Sequence, residues 1–261
     1  MSTRLFPLSP LAITTLLLTL SGCATSSTAV SSPTPSGTYT NWLIEGNSTL
    51  ISPPVGQYMS GALQINGTQV TGTFSSHFAC TPPTGTYTGT LNSAGDLTLQ
   101  TIGVNTSLQT SSNPYTPYTG TFTAGGYLCL VISSGSAVGV EIAPLNGTLA
   151  GAVTATGVAP VPTGNVSLNV TQSTTPNANG QFPLTGAITF TSGTCSVIES
   201  LSGTISGEGV ALTTASGAST SVQVTATTIP TATQVAASSI VFTPSPCSTL
   251  IPSATYTGTL Q

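Results

Sequence analysis

One histidine, His77, and five carboxylates, Glu45, Asp96, Glu141, Glu199 and Glu208, are the side chains offered for acid–base chemistry near neutral pH. A metal site needs several His, Cys, Asp or Glu within reach of one another. No two carboxylates here lie closer in sequence than Glu199 and Glu208. A glycosidase would need two of the five as a pair. Glu45 and Asp96, however, adjoin Gly46-Asn47 and Ala94-Gly95, and Glu208 sits between Gly207 and Gly209. Beside such residues an acidic side chain reads as a solvated turn former. A Ser-His-Asp triad has His77, Asp96 and many serines to draw on, but the strained Gly-x-Ser-x-Gly elbow is missing. The expectation is therefore no catalytic residue, no metal ligand and no cofactor. Trp42, the sole tryptophan, and Tyr115 and Tyr118 of the run Asn113-Pro114-Tyr115-Thr116-Pro117-Tyr118 are the ligand-binding candidates. Exposed aromatic rings bind carbohydrate faces or protein partners. The alternative is burial at the end of a small β domain.

The elements that must position these residues begin after a targeting segment. Arg4 precedes an apolar run, Leu11–Leu20, of ten residues. That is too short to span a hydrocarbon core, which takes about 20 residues as a helix, but it suits a signal sequence. Leu20-Ser21-Gly22-Cys23 follows and resembles the bacterial lipobox, in which a small residue precedes a cysteine that is diacylated before cleavage. The resemblance implies a signal peptide over 1–22 and a lipid on Cys23. The alternative is an ordinary secretory signal with a chance cysteine. Ala24 rather than Asp beside the cysteine implies delivery to the outer membrane. Residues 24–36, rich in Ser, Thr and Pro, read as a disordered continuation of the anchor, giving a tether over 23–36.

Removing residues 1–22 removes Arg4, the only Lys or Arg in the chain. Nucleic acid is excluded as a partner, because binding its phosphates requires cations that displace counterions. A polybasic contact with anionic lipid is excluded for the same reason. Membrane contact is expected only through the lipid on Cys23.

From Gly37 onward, short stretches alternate apolar and polar residues. Ala62–Ile65, then Asn66-Gly67, then Gln69–Phe74 is a hairpin signal, because a type I′ turn needs positive φ at both central residues. No helix-length 3.6-residue period is visible. The order of cysteines and glycines indicates a tandem repeat. Ser60-Gly61-Ala62-Leu63 resembles Thr185-Gly186-Ala187-Ile188, and Thr88-Gly89-Thr90-Leu91 resembles Ser202-Gly203-Thr204-Ile205. Cys80 and Cys195 precede the second glycine of each set at similar distances, and Cys129 and Cys247 follow. The prediction is an all-β protein of two antiparallel meander domains, 37–156 and 163–261, divided at the Gly157–Pro162 run. Each is expected to close as a small barrel, with a β-sandwich as the alternative.

Four cysteines besides Cys23 allow three pairings, and only one stays within each repeat: Cys80–Cys129 and Cys195–Cys247. An exported chain meets an oxidising compartment, so bridges are expected, with four buried free thiols as the alternative.

The segments Asn165–Gln172 and Gly180–Phe190 resemble uncharacterised secreted lipoproteins of the Acidobacteria, which also repeat a Gly-Thr-apolar motif around a single cysteine. The resemblance is good over 160–261 and loose over 37–156, where a Gly-Asn-Trp opening is replaced by Thr40-Asn41-Trp42. It implies an envelope location and no particular reaction. The functional expectation is a non-enzymatic cell-envelope lipoprotein, structural or adhesive, with an envelope protein or glycan as partner. The alternative is a barrel holding a small ligand or carbohydrate. Asn-x-Ser/Thr triplets such as Asn47-Ser48-Thr49 are expected by chance in so hydroxyl-rich a chain.

Overall fold

The computed structural model describes residues 38–48, 57–78, 81–101, 104–110, 118–125, 133–157, 162–218, 220–243 and 254–261. The expected signal segment, Cys23 and the tether lie outside them. All regular structure among the described residues is β. The first eight strands are β1 (Tyr39–Ser48), β2 (Gln57–Asn66), β3 (Gln69–Ser76), β4 (Thr84–Leu91), β5 (Leu97–Thr101), β6 (Val104–Thr110), β7 (Tyr118–Ala124) and β8 (Ser133–Ile142). The next eight are β9 (Gly147–Thr156), β10 (Thr163–Gln172), β11 (Phe182–Ser192), β12 (Cys195–Ser206), β13 (Gly209–Thr214), β14 (Ser221–Thr228), β15 (Val235–Thr243) and β16 (Thr255–Leu260).

Each set forms a closed antiparallel meander barrel of eight strands, with β1 pairing β8 and β9 pairing β16. Closure leaves no unpaired edge. The alternation read from the sequence decides which face is which. In β4, Thr84, Thr86, Thr88 and Thr90 point outward and Tyr87 and Leu91 point inward. In β13, Val210 and Leu212 point inward. The exposed face is thus coated with hydroxyls and the lumen is apolar, the reverse of a barrel whose outer wall faces lipid.

An eight-stranded barrel is just wide enough for its own side chains to fill it. In the first barrel Trp42, Ile44, Met59, Leu63, Phe74, Tyr87 and Phe122 are each at most 2% exposed. Phe74 packs edge-on against Tyr87 at 5.0 Å and Phe78 against Phe122 at 4.9 Å. In the second, Phe190 meets both Phe242 and Tyr256 edge-on at 5.0 Å. Such aromatic pairs add about 0.5–1.5 kcal/mol each beyond the area they bury. The described side chains that point into each lumen form one packed apolar cluster.

The repeat is visible in the topology. Gly89 lies on the fourth strand of the first barrel and Gly203 on the fourth strand of the second. A Cβ on Gly89 would overlap the Thr98 carbonyl oxygen, and one on Gly203 the Ala211 carbonyl oxygen. Both glycines are required by the close approach of neighbouring strands. Ser60-Gly61-Ala62-Leu63 is not the counterpart of Thr185-Gly186-Ala187-Ile188, however. The former lies on the second strand of its barrel and the latter on the third, so Thr71-Gly72-Thr73 of β3 occupies the equivalent place.

The domain boundary also differs from the sequence reading. Gly147–Thr156, expected in the first domain, is β9 and belongs to the second barrel. The physical reason is closure: β16 needs a partner, and Thr156 stands opposite Thr255. The Gly157–Pro162 run is the β9–β10 connection, where Pro162 accepts a hydrogen bond from the Ala155 N–H at 3.0 Å. The true junction is Ala143–Asn146. It is fastened to the second barrel by the buried Leu145, whose N–H donates to Gln172 Oε1 at 2.9 Å.

Both barrels belong to one unit of the chain, Pro33–Gln261. The outer face of β1 and β2 lies against the second barrel. Ala62 joins that barrel's apolar cluster, and Tyr39 packs on it. Buried Asn41 donates from Nδ2 to the Gly207 carbonyl at 2.9 Å and accepts the Gly207 N–H on Oδ1 at 2.7 Å. Ser60 and Ser206 share a hydroxyl–hydroxyl bond of 2.9 Å.

Candidate functional site

A cleft of about 460 Å³ opens beside this contact, and Glu45, Tyr58, His77 and Glu208 are among the residues that line it. From the first barrel come Glu45 on β1, Tyr58 and Ser60 on β2, and His77 just beyond β3. From the second come Ser206 and Glu208 on either side of Gly207. Strand register explains the first group. Glu45 stands directly opposite Tyr58, and the His77 N–H donates to the Tyr58 carbonyl at 2.7 Å. The His77 imidazole then stacks on the Tyr58 ring, with centroids 4.3 Å apart and planes 28° from parallel. Tyr58 remains 38% exposed, one of the few large apolar side chains at the surface.

Glu208 is placed by the β12–β13 turn. Gly207 takes φ +54°, and a Cβ there would press on the Ser60 and Leu43 side chains. The Thr228 N–H holds the far side of the turn, donating to the Glu208 carbonyl at 2.9 Å. Burial pushes the Glu208 carboxyl above the usual carboxylate range, and the negative charge of Glu45 raises it further. With Arg4 the only Lys or Arg in the sequence, no such side chain is present in either barrel to relieve that repulsion.

The turn reading of the acidic residues holds for Asp96, whose Oδ2 accepts from Asn92 Nδ2 at 2.9 Å in the β4–β5 connection. It fails for Glu45, which lies within β1 because Gly46 and Asn47 continue the strand. Glu208 does sit in a turn, but the turn faces the other barrel. Glu199 lies mid-strand on β12, opposite Ile188.

The aromatic candidates fall elsewhere. Trp42 is 2% exposed and donates its indole N–H to Thr40 Oγ1 at 2.8 Å, so it offers no face to a ligand. That corrects its reading as a binding platform: it occupies an inward position of β1, where its ring fills the barrel. Tyr118 is half-buried against it, with centroids 5.1 Å apart. Burial, then the charge of Glu141, raises the Tyr118 hydroxyl above its usual value. Glu141 pairs across the strands with Trp42 and is itself raised by the surrounding protein. Tyr115 lies outside the described residues.

Cys195 opens β12, is buried, and is not a free thiol. Cys80, Cys129 and Cys247 lie outside the described residues, as does Cys23. Among the described residues no three His, Cys, Asp or Glu are grouped as a metal ion would require. A second groove of about 450 Å³ runs over β9, β10 and β11, lined by uncharged residues such as Ala150, Asn165, Val166 and Thr189, with no titratable group. Nothing local signals the cleft, since its two halves meet only through the packing of one barrel on the other. No family model, curated protein or solved structure matches the chain.

Proposed function

We propose that this chain is a lipid-anchored cell-envelope protein that acts by binding rather than by catalysis. The observation that carries the binding reading is the separation of roles between lumen and exterior. The lumens are filled by the protein's own apolar side chains, while Glu45, Tyr58, His77 and Glu208 gather in a cleft outside them. A small ligand held inside a barrel is therefore disfavoured, and the binding role passes to the cleft. The anchor rests on the lipobox resemblance at Leu20–Cys23, the tether after it, and the likeness to Acidobacteria lipoproteins, and Ala24 in place of Asp beside the cysteine favours the outer membrane. In this reading residues 1–22 are removed, Cys80 pairs with Cys129 and Cys195 with Cys247, and the partner is an envelope protein or glycan.

Intact mass of the membrane-extracted protein tests it. The expected result is cleavage before Cys23, a diacylglycerol adduct on that residue, and a gain of four hydrogens on reduction. An unmodified Cys23 in a soluble product would overturn the anchor.

The two carboxylates favour one second reading, glycoside hydrolysis. There one carboxyl must hold a proton while its partner is ionised, and Glu208 is raised beside the exposed Glu45. Release of nitrophenol from a panel of nitrophenyl glycosides, abolished by E208Q, would establish it in place of the binding role.

A further inference from the structure

The barrels contain five carboxylates and not one Lys or Arg, so no carboxylate here has an ordinary ion-pair partner within the barrels. In such a chain, carboxylates are best kept apart. Two of them are instead brought together from different barrels, and the means of doing so are built into the fold. The Asn41–Gly207 bonds fix the residue next to Glu208, the Ser60–Ser206 bond closes the cleft floor, and Gly207 admits no larger side chain without displacing Ser60. Glu45 faces this turn from β1. Beside the carboxylates stands a stacked aromatic pair, Tyr58 on His77, with Tyr58 open to solvent.

Each feature selects the same chemistry. Uncompensated carboxylates attract a cation and repel an anion. An aromatic face next to them attracts a cation through its quadrupole, by about 0.5–1 kcal/mol at an exposed site. Two carboxylates are few for a hard divalent ion, which seeks six or more oxygens, but they suit the several N–H donors of an organic cation. The cleft volume of about 460 Å³ lies within the range of small-molecule sites.

We propose that the cleft between the barrels binds an organic cation, an alkylammonium or guanidinium group, held by Glu45 and Glu208 and laid against the Tyr58–His77 pair. This rests on the binding reading above and names its ligand class. The group could be carried by a free polyamine or by a basic side chain of a protein partner.

The chain's single histidine makes a clean reporter. The full-length protein, extracted in detergent and carrying ring-labelled histidine without an affinity tag, is titrated with spermidine and, separately, with a Gly-Lys-Gly-Lys-Gly peptide. The expected result is a saturable shift of the His77 ring signals that weakens as salt is raised. E45Q and E208Q should each lower the affinity about tenfold, as loss of one charge-assisted contact does. E199Q, on the same strand as Ser206 but outside the cleft, should leave it unchanged. Response to spermidine alone identifies a free polyamine, and response to the peptide identifies a basic partner segment. The proposal is overturned if neither probe shifts His77, if calcium or glucose shifts it equally, or if the shifts persist in an E45Q/E208Q double variant with an unaltered amide spectrum. Failure here with Cys23 found lipidated would leave the envelope reading standing. Success with Cys23 unmodified would remove the anchor and keep the site.

Discussion

Asn41 and Gly207 stand 166 positions apart in sequence yet exchange two hydrogen bonds, one in each direction, between a buried side-chain amide and a turn backbone. The carboxamide presents a donor and an acceptor side by side, so one side chain satisfies both the N–H and the C=O of Gly207. The pair joins the barrels at the residue that precedes Glu208.

Asn41→Ala should therefore weaken both fold and site. Two buried backbone groups of Gly207 would lose their partners, at about 1–3 kcal/mol each. Urea denaturation should show the loss. Hydrogen exchange at the Gly207 amide should accelerate more than exchange at the luminal Leu63. Equal acceleration at both would mean that the pair does not act locally.

Glu208 makes stability depend on pH in a definite direction. Its folded-state pKa is raised, so the folded protein binds the proton more tightly than the unfolded chain does. Its contribution is thus favourable below the unfolded carboxylate pKa and is lost as pH rises through the folded value. Glu208→Gln should raise the melting temperature at neutral pH and lose that advantage in acid, below the range where unfolded Glu titrates. Melting curves across this range check it. A constant difference would show that the carboxylate's charge plays no part.

Tyr87 predicts behaviour in alkali. Burial pushes its hydroxyl from the ordinary value near 10 up to about 12, against the lowering influence of its bond to Ser76. The folded state again holds the proton more tightly, so stability should fall as pH rises from 10 toward 12. For a shift of this size the loss is about 3 kcal/mol. Tyr87→Phe should remove much of that alkaline slope at a cost of about 1 kcal/mol at neutral pH. Chemical denaturation at neutral and high pH measures both.

The proposed bridges predict a pattern of non-additivity. Cys195→Ser and Cys247→Ser should each cost up to about 4 kcal/mol by restoring the entropy of a loop of roughly 50 residues, and the double variant should cost no more than either single one. Cys80→Ser combined with Cys195→Ser should instead add, since those residues belong to different bridges. A double-mutant cycle on melting data separates the cases.

Much of the fold was legible in the sequence because its signals are local. A hairpin forms at the predicted place, but its two-residue loop is Gly67-Thr68, with Gly67 at φ +65° and Asn66 still in the strand opposite Gln69, so the turn is not the expected type I′ turn at Asn66-Gly67. The alternation of β4 and β13 names their inward faces correctly. The two barrels follow from short antiparallel connections. What went astray was non-local. The Gly157–Pro162 run looks like a domain junction, and only the pairing of β9 with β16 reveals it as a hairpin connection. Gly61 and Gly186 resemble each other because tight barrels demand glycine on several strands, so the motif alone cannot say which strand matches which. The cleft was the least legible part. Glu45 and Glu208 each look like turn residues in isolation, and their convergence depends on how one finished barrel packs against the other.

The pairing of β9 with β16 also fixes an order of events. A chain emerging from its N-terminal end can close the first barrel once β8 has appeared, while most of the second is still to come. The second barrel holds its opening strand unpaired on one side until β16 arrives, about a hundred residues later, as the Thr156–Thr255 pairing shows. Long-range closure of this kind is slow, and open strand edges invite pairing with other chains while it is pending. The first barrel, already complete, then presents the outer face of β1 and β2 as a finished surface on which the β12–β13 turn can dock.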